Sequence, residues 1–208
     1  MIEGLHVDRR DLLGHALLLV GAAASASFSA EALAAAASGG KRYLAKSPFT
    51  TLSALADTMI PVTDTPGALA AGVPETLDAM LAHWASAPTR ELITGGLARI
   101  DAAAIAQQGK AFAAIAPQDR LAFLVEHDKA ALKAVPPPPG AKPAHPFAPL
   151  VSVADNGYHR LKDLVITLYY ASEIGMTREL VYEHVPGEWV PSLKITPGMR
   201  PFAGTGPF

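Results

Sequence analysis

The stretch YHRLKDLVITLYYASEIG, residues 158–175, shows the helical period that decides the fold. Its large apolar side chains recur at the spacing of one α-helix face, and they are Tyr158, Leu161, Val165 and Leu168. The stretch ends in Gly175, and glycine is common just beyond the end of a helix. We therefore predict a helix over about residues 150–172 that buries this face.

Four amphipathic segments precede this helix, and prolines mark where they begin or stop. In the first, Ser47 is the expected N-cap, Pro48 lies in the first turn, and Pro61 stops the helix. The others open at Pro74, Pro88 and Pro117, and the third of the four is expected to end at Gly109. The side chains that we expect to face inward are Leu52, Leu55, Ala56, Met59 and Ile60, then Leu77, Met80, Leu81 and Trp84, then Ile93, Leu97, Ile100 and Ala104, and finally Leu121, Leu124, Val125 and Leu132. No β pattern is present. The sequence predicts an all-α fold: a small helical bundle of about five helices.

Proline-rich sequence interrupts and follows the predicted helices. Seven prolines lie between residues 136 and 149, which predicts a polyproline-II connector over the surface. Residues 177–208 carry five prolines and four glycines together with spaced aromatic side chains. We predict a helical domain over residues 39–176 and an extended C-terminal arm over residues 177–208. Because solvated tails seldom hold such aromatics, we expect this arm to wrap another protein.

The first 38 residues have the layout of an export signal. The pair Arg9-Arg10 precedes Leu12 and Leu13, a modest apolar stretch and a run rich in alanine and serine. Paired arginines before a weakly apolar segment are typical of the twin-arginine export route. Two alternatives stay open, namely an ordinary secretory signal and an amphipathic N-terminal helix of the fold.

Composition excludes several kinds of chemistry. The 208 residues carry a formal net charge of −2 and no cysteine. The chain therefore lacks a broad basic field for nucleic acid, and disulfides, cysteine-ligated zinc and iron–sulfur clusters cannot form in it. No glycine-rich phosphate loop, Gly-x-Ser-x-Gly or His-Glu-x-x-His motif occurs. We expect this chain to contain no catalytic residue, bound cofactor or metal ligand.

Two sequence blocks together carry a family resemblance. The first is LSALADTMIP, residues 52–61, followed by DTPGA at 64–68, AGV at 71–73 and Asp78. The second is YYASEIGMTRELVYEHVPG, residues 169–187. The chain resembles the small subunit of membrane-associated flavin dehydrogenases, the gluconate 2-dehydrogenase subunit 3 family. With the signal and the helices, the resemblance spans nearly the whole chain.

The resemblance implies a non-catalytic role in an obligate heteromer. The large subunit would be a flavoprotein of the glucose–methanol–choline type that binds FAD and oxidises a sugar or another alcohol. The small subunit would stabilise it and carry it, already folded, through the twin-arginine translocase to the periplasm. Electrons would leave through a cytochrome c subunit. Besides FAD in the large subunit, the resemblance implies haem c or an iron–sulfur cluster in other subunits and none in this chain.

Aromatic side chains near the second block are the expected partner anchors, because aromatics dominate such contacts. The predicted interface consists of Tyr169, Tyr170, Glu173, Tyr182, Pro186, Trp189, Phe202 and Phe208. Two rival hypotheses remain at this point. One is a stand-alone periplasmic helical enzyme that uses His83, His127 or His159, although His127 is expected on a solvated helix face. The other is an adaptor with a different client.

Overall fold

The computed structural model describes residues 42–141, 152–182, 192 and 194–202, which belong to one structural unit. The described part contains five α-helices: α1 (Lys46–Met59), α2 (Val73–His83), α3 (Ala87–Gln108), α4 (Pro117–Ala131) and α5 (Asn156–Ala171). A 3-10 turn, Phe112–Ala114, precedes α4, and a π-helical turn, Gly175–Glu179, follows α5. In these residues β pairing is limited to two isolated bridges, Ala134–Val153 and Val181–Phe202. The predicted all-α fold is confirmed.

The length and composition of the helices bear on membrane insertion. None of the helices in residues 42–141 and 152–182 combines the length and the apolar character needed to cross a bilayer. The predicted export signal, with Arg9, Arg10, Leu12 and Leu13, lies outside the described residues.

Local capping sets where the helices begin and end. The side chain of Ser86 accepts a hydrogen bond from the Thr89 amide at the start of α3, and Gly109 ends that helix in the left-handed conformation with a φ of 68°. Asp155 caps α5, so this helix starts several residues later than the sequence pattern predicted. The predicted Ser47 cap of α1 is wrong, because the cap position is Ala45 and no side chain bonds there.

The core is centred on the pair of helices α3 and α5. The predicted inward faces of both helices are confirmed, since Ile93, Leu97, Ile100, Ala104, Tyr158, Leu161, Val165 and Leu168 are all at most 4% exposed. Leu52 and Leu55 of α1 and Leu77 of α2 also belong to the core, each at most 1% exposed. Burial of such side chains is the main favourable contribution to folding.

Two glycines let α3 and α5 approach closely. A Cβ at Gly96 would lie 2.9 Å from the carbonyl carbon of Gly157, and a Cβ at Gly157 would lie 2.5 Å from the carbonyl oxygen of Leu92. Both distances are too short for any side chain without movement of the backbone. Gly96 and Gly157 are therefore required by packing, although neither has a positive φ.

A charged pair fastens the same crossing at its edge. The Arg99 guanidinium of α3 donates through Nε and Nη2 to the two carboxylate oxygens of Asp155, at 2.6 and 2.5 Å. The Asp155 carboxylate also accepts the Tyr158 amide at 2.9 Å. Burial alone would raise the pKa of Asp155, but hydrogen bonds from Arg99 and from the backbone amides of Tyr158 and Gly157 outweigh it and lower that pKa.

The inward face predicted for α4 is partly wrong. Leu124 is buried, but Leu121 and Val125 are 55% and 44% exposed. Phe123 is buried instead, because its ring packs against Phe112 at 5.7 Å between centroids. Trp84, predicted to face inward from α2, follows the end of that helix and is 50% exposed.

The glycine contact predicts opposite effects at two neighbouring positions of α3. Gly96→Ala should lower the free energy of unfolding by about 1–3 kcal/mol, because the added methyl group overpacks the crossing. Gly95→Ala should be neutral or should stabilise the helix by up to about 1 kcal/mol, because its Cβ would lie 3.1 Å from Nη1 of Arg99, the guanidinium nitrogen that makes no hydrogen bond to Asp155. Urea unfolding of the two variants checks this, and equal stabilities would contradict the close crossing.

Candidate partner interface

The loop between α1 and α2 is folded back on itself. The Ala68 amide donates to the carbonyl oxygen of Ile60 at 2.9 Å, and the Thr63 amide donates to that of Thr65 at 3.0 Å. A Cβ at position 67 would lie 2.6 Å from the Ile60 carbonyl oxygen, so glycine is needed there. The DTPGA part of the first sequence block is thus a compact turn held by its own backbone.

The end of α5 is shaped by the Ser-Glu-Ile-Gly part of the second block. The Ser172 hydroxyl donates to the Tyr169 carbonyl at 2.6 Å and accepts the Gly175 amide at 3.0 Å. A Cβ at Gly175 would clash with the Tyr169 carbonyl oxygen. Gly175 therefore serves close packing of the chain into the π-helical turn, and its φ is not left-handed, contrary to the capping role that the sequence suggested.

Side chains join these two segments, which lie more than a hundred residues apart. The Tyr169 hydroxyl donates to the Pro66 carbonyl oxygen at 2.8 Å, and the Thr65 hydroxyl donates to the Glu179 carboxylate. Tyr169 and Thr65 are 2% and 7% exposed. We call this meeting of residues 60–72 with residues 169–182 the junction. Burial raises the pKa of the Tyr169 phenol above its ordinary value, so the group keeps its proton, and its role as a donor, to still higher pH than an exposed tyrosine.

Part of the C-terminal arm lies against the junction. Arg200 donates through Nη1 to the Arg178 carbonyl oxygen at 2.5 Å, and its Nη2 lies 3.9 Å from the Asp64 carboxylate. The Val181 amide donates to the Pro201 carbonyl oxygen at 2.9 Å, next to the bridge between Val181 and Phe202. Residues 194–202 thus return to their own chain.

The predicted anchors fall into three groups. Tyr170, Tyr182 and Phe202 are 42%, 44% and 49% exposed, and Glu173 is exposed as well. Tyr169 has an internal role instead, because it is buried and its hydroxyl is bonded within the chain. Pro186, Trp189 and Phe208 lie outside the described residues.

Asp78 of the first block has a structural role that the sequence pattern did not reveal. Its carboxylate is 5% exposed and accepts the backbone amides of Tyr43 and Leu44 at 3.0 and 2.7 Å. These bonds attach the segment before α1 to α2. A buried carboxylate requires such partners, since burial without them costs several kcal/mol.

Comparison with known proteins tests the resemblance of the two blocks. The family model described as gluconate 2-dehydrogenase subunit 3 matches residues 46–187. The chain belongs to the gluconate 2-dehydrogenase subunit 3 family. No curated protein and no solved structure matches it significantly. The matched range includes all five helices and the junction.

Membership in the subunit 3 family makes the chain an accessory subunit of a dehydrogenase complex. The family match also reaches the two blocks on which the resemblance rested. In the fold these blocks meet at the junction. Tyr169 and Thr65 bond across its interior, Tyr170 is exposed on it, and Phe202 is exposed beside it. The junction is our candidate partner interface.

The three histidines of the rival enzyme hypothesis lie on different helices. His83 ends α2 and His159 lies in α5, and both are exposed. His127 of α4 does not lie on a solvated face as predicted. Its ring stacks on Phe123 at 5.7 Å and meets Tyr158 edge-on at 4.9 Å. Among the residues with a described placement, no group of three or more His, Asp or Glu side chains is arranged to hold a metal ion.

The environment of His127 disfavours its charged form. Its Nε2 is buried and has no hydrogen-bond partner. Desolvation lowers the pKa of His127 and outweighs the nearby carboxylates of Asp155 and Asp128, which act in the opposite direction, while Arg99 adds to the lowering. His127 is therefore a packing residue of the aromatic cluster with Phe112, Phe123 and Tyr158.

The hydroxyl of Tyr169 should contribute measurably to stability. Tyr169→Phe removes its bond to the Pro66 carbonyl and should lower the free energy of unfolding by about 1 kcal/mol. Tyr170→Phe is the matched control, because the neighbouring ring is exposed and should be insensitive to loss of its hydroxyl. Thermal unfolding of both variants gives the comparison. A loss of about 1 kcal/mol in the Tyr170→Phe variant as well would argue against the buried junction.

The lowered pKa of His127 predicts that the protein loses stability in mild acid. The unfolded chain binds a proton at a pH near the ordinary histidine pKa of roughly 6.5, whereas the folded chain binds it at lower pH. The free energy of unfolding should therefore fall as the pH decreases below about 6.5. His127→Phe keeps a ring but cannot titrate, so it should reduce this fall.

Urea titrations at several pH values measure that dependence. His83→Gln is the control, because it removes an exposed histidine from another helix and should leave the pH dependence unchanged. An unchanged slope in the His127→Phe variant would show that the aromatic cluster is not the source of acid sensitivity.

Proposed function

We propose that this chain is the non-catalytic small subunit of a sugar or alcohol dehydrogenase whose large subunit is a glucose–methanol–choline-type flavoprotein. The chain stabilises that subunit and escorts it through the twin-arginine translocase. FAD belongs to the large subunit, and haem c or an iron–sulfur cluster belongs to further subunits such as a cytochrome c. The complex then acts in the periplasm or at the periplasmic face of the inner membrane.

The family match to a dehydrogenase subunit is the observation that carries this proposal. The junction adds physical support. Its interior is fixed by the bonds of Tyr169 and Thr65, so Tyr170 is presented from a rigid base. Preorganised aromatic side chains bind with little loss of conformational entropy. Phe202 is exposed beside the same turn.

The escort role rests on the arginine pair of residues 9 and 10. A folded passenger needs an export route that accepts folded proteins, and the twin-arginine route does so. The proposal is consistent with the order of the chain, in which the signal precedes the family-matched residues 46–187.

Purification of the tagged full chain from its own cells tests the complex. We expect a larger protein with the visible absorbance of oxidised flavin to co-purify, and the purified complex to oxidise a sugar or another alcohol. A colourless chain that purifies alone would contradict the proposal. Turnover of such a substrate by the chain alone would instead favour an enzyme.

Changing both Arg9 and Arg10 tests the proposed escort role. Arg9→Lys combined with Arg10→Lys should leave this chain and the flavoprotein together in the cytoplasm, because the translocase distinguishes arginine from lysine. Arg160→Lys is the matched control, since it makes the same replacement at an exposed position of α5 and should permit export. Cell fractionation and flavin absorbance give the readout. Flavoprotein that reaches the periplasm with the double variant would contradict the escort.

A further inference from the structure

A groove lies between α4, α5 and the end of α1. Leu121 and Val125 form its α4 wall, Ile166 its α5 wall, and Met59, Ile60 and Tyr158 line the rest. Its volume is about 360 Å³. We call it the α4–α5 groove. The sequence pattern assigned Leu121 and Val125 to the buried core, and the groove is lined in part by a residue of that core, since Tyr158 is 1% exposed.

The walls of the groove are apolar and open to solvent. Leu121, Val125 and Ile166 are 55%, 44% and 37% exposed. Single exposed apolar residues are common. Here aliphatic side chains from two helices surround one concavity, and the apolar anchors of a partner protein commonly fill such pockets. Covering such a patch would remove apolar surface from water and so favour association.

The charges in the groove are already paired within the chain. Asp128 accepts hydrogen bonds from the Tyr158 hydroxyl at 2.9 Å and from Lys162 Nζ at 2.5 Å. Lys129 Nζ lies 2.7 Å from the Glu126 carboxylate. Each charged residue of the described lining thus already has a partner within the chain, and a charged occupant would compete with that partner. Charge complementarity therefore favours an uncharged, apolar occupant over a small anion or cation.

The groove is continuous with the candidate partner interface. Ile166 and Tyr170 are four residues apart in α5, so they share one face of the helix, and both are exposed. The path leads from Leu121 and Val125 across Ile166 to the junction. All of these residues lie in the range 46–187 that matches a dehydrogenase subunit family.

We propose that the α4–α5 groove receives an apolar segment of the catalytic subunit. Large aliphatic or aromatic side chains of that segment fill the space between Leu121, Val125 and Ile166, while the same subunit contacts Tyr170. This inference rests on the proposed function and names the surface that carries it. A small-molecule ligand fits the site less well, because such sites present convergent free polar groups and the groove's Asp128 and Lys162 bond each other.

Charge substitutions on the groove wall test the proposal in the intact complex. Leu121→Glu and Val125→Glu should each reduce the flavoprotein that co-purifies with the tagged full chain by on the order of tenfold or more, because a carboxylate would be buried without a partner. Both positions are exposed, so the chain itself should fold. Ile105→Glu is the matched control, since Ile105 is 54% exposed on α3 and does not line the groove.

The outcomes separate the two proposals. Loss of flavoprotein in the groove variants with retention in Ile105→Glu supports docking in the groove. Retention of the flavoprotein in all three variants overturns docking in the groove and leaves the proposed function standing. Absence of flavoprotein from the unmodified chain defeats the proposed function and the groove proposal with it.

Photocrosslinking identifies the occupant without depending on the fold of a glutamate variant. A benzophenone amino acid is placed at position 125 or at position 105 of the full chain, and the purified complex is irradiated. We expect a covalent adduct with the flavoprotein from position 125 and none from position 105. Adducts from position 125 exclusively to a second copy of this chain, or exclusively within the chain, would overturn the proposal.

Discussion

Helices α3 and α5 approach so closely at Gly96 and Gly157 that neither position has room for a Cβ, and the described structure is built on that contact. Asp155 holds the crossing in place, because it caps α5 and accepts both hydrogen bonds of the Arg99 fork. The position of α5 matters in two further ways. Its C-terminal end carries the junction, and its middle forms one wall of the α4–α5 groove.

The junction gives the two distant sequence blocks of this chain a shared structural role. Gly67 and Gly175 let backbones pass at distances that a side chain would prevent, and Tyr169 bonds one block to the other. The result is a rigid support for exposed aromatics. In the proposed complex, Tyr170 and Phe202 use that support, and a partner that covers them would also cover the groove beside Ile166. Stabilisation of the large subunit would then come from one continuous surface.

Sequence periodicity located most of the core but placed α4 inaccurately. The stripes of α3 and α5 are correct because these helices bury one face against each other. Helix α4 has apolar residues around much of its circumference, so periodicity alone could not choose between Phe123 and Val125. Contacts with Phe112 and Tyr158 determine which face of α4 is buried, since Phe123 and His127 pack with them in one aromatic cluster. Leu121 and Val125 are left at the surface, where they line the groove.

The sequence by itself determined the helical class, the number of helices in the described part, the glycine end of α3 and the family, because these depend on local periodicity, capping and short motifs. Tertiary structure decided what each motif residue does. Tyr169 and Tyr170 are adjacent and chemically identical, yet one is buried and bonded to Pro66 while the other is exposed. Asp78, His127 and Gly96 likewise have roles set by neighbours from other helices. Their surroundings arise from contacts between segments far apart in the chain, which local sequence patterns do not encode.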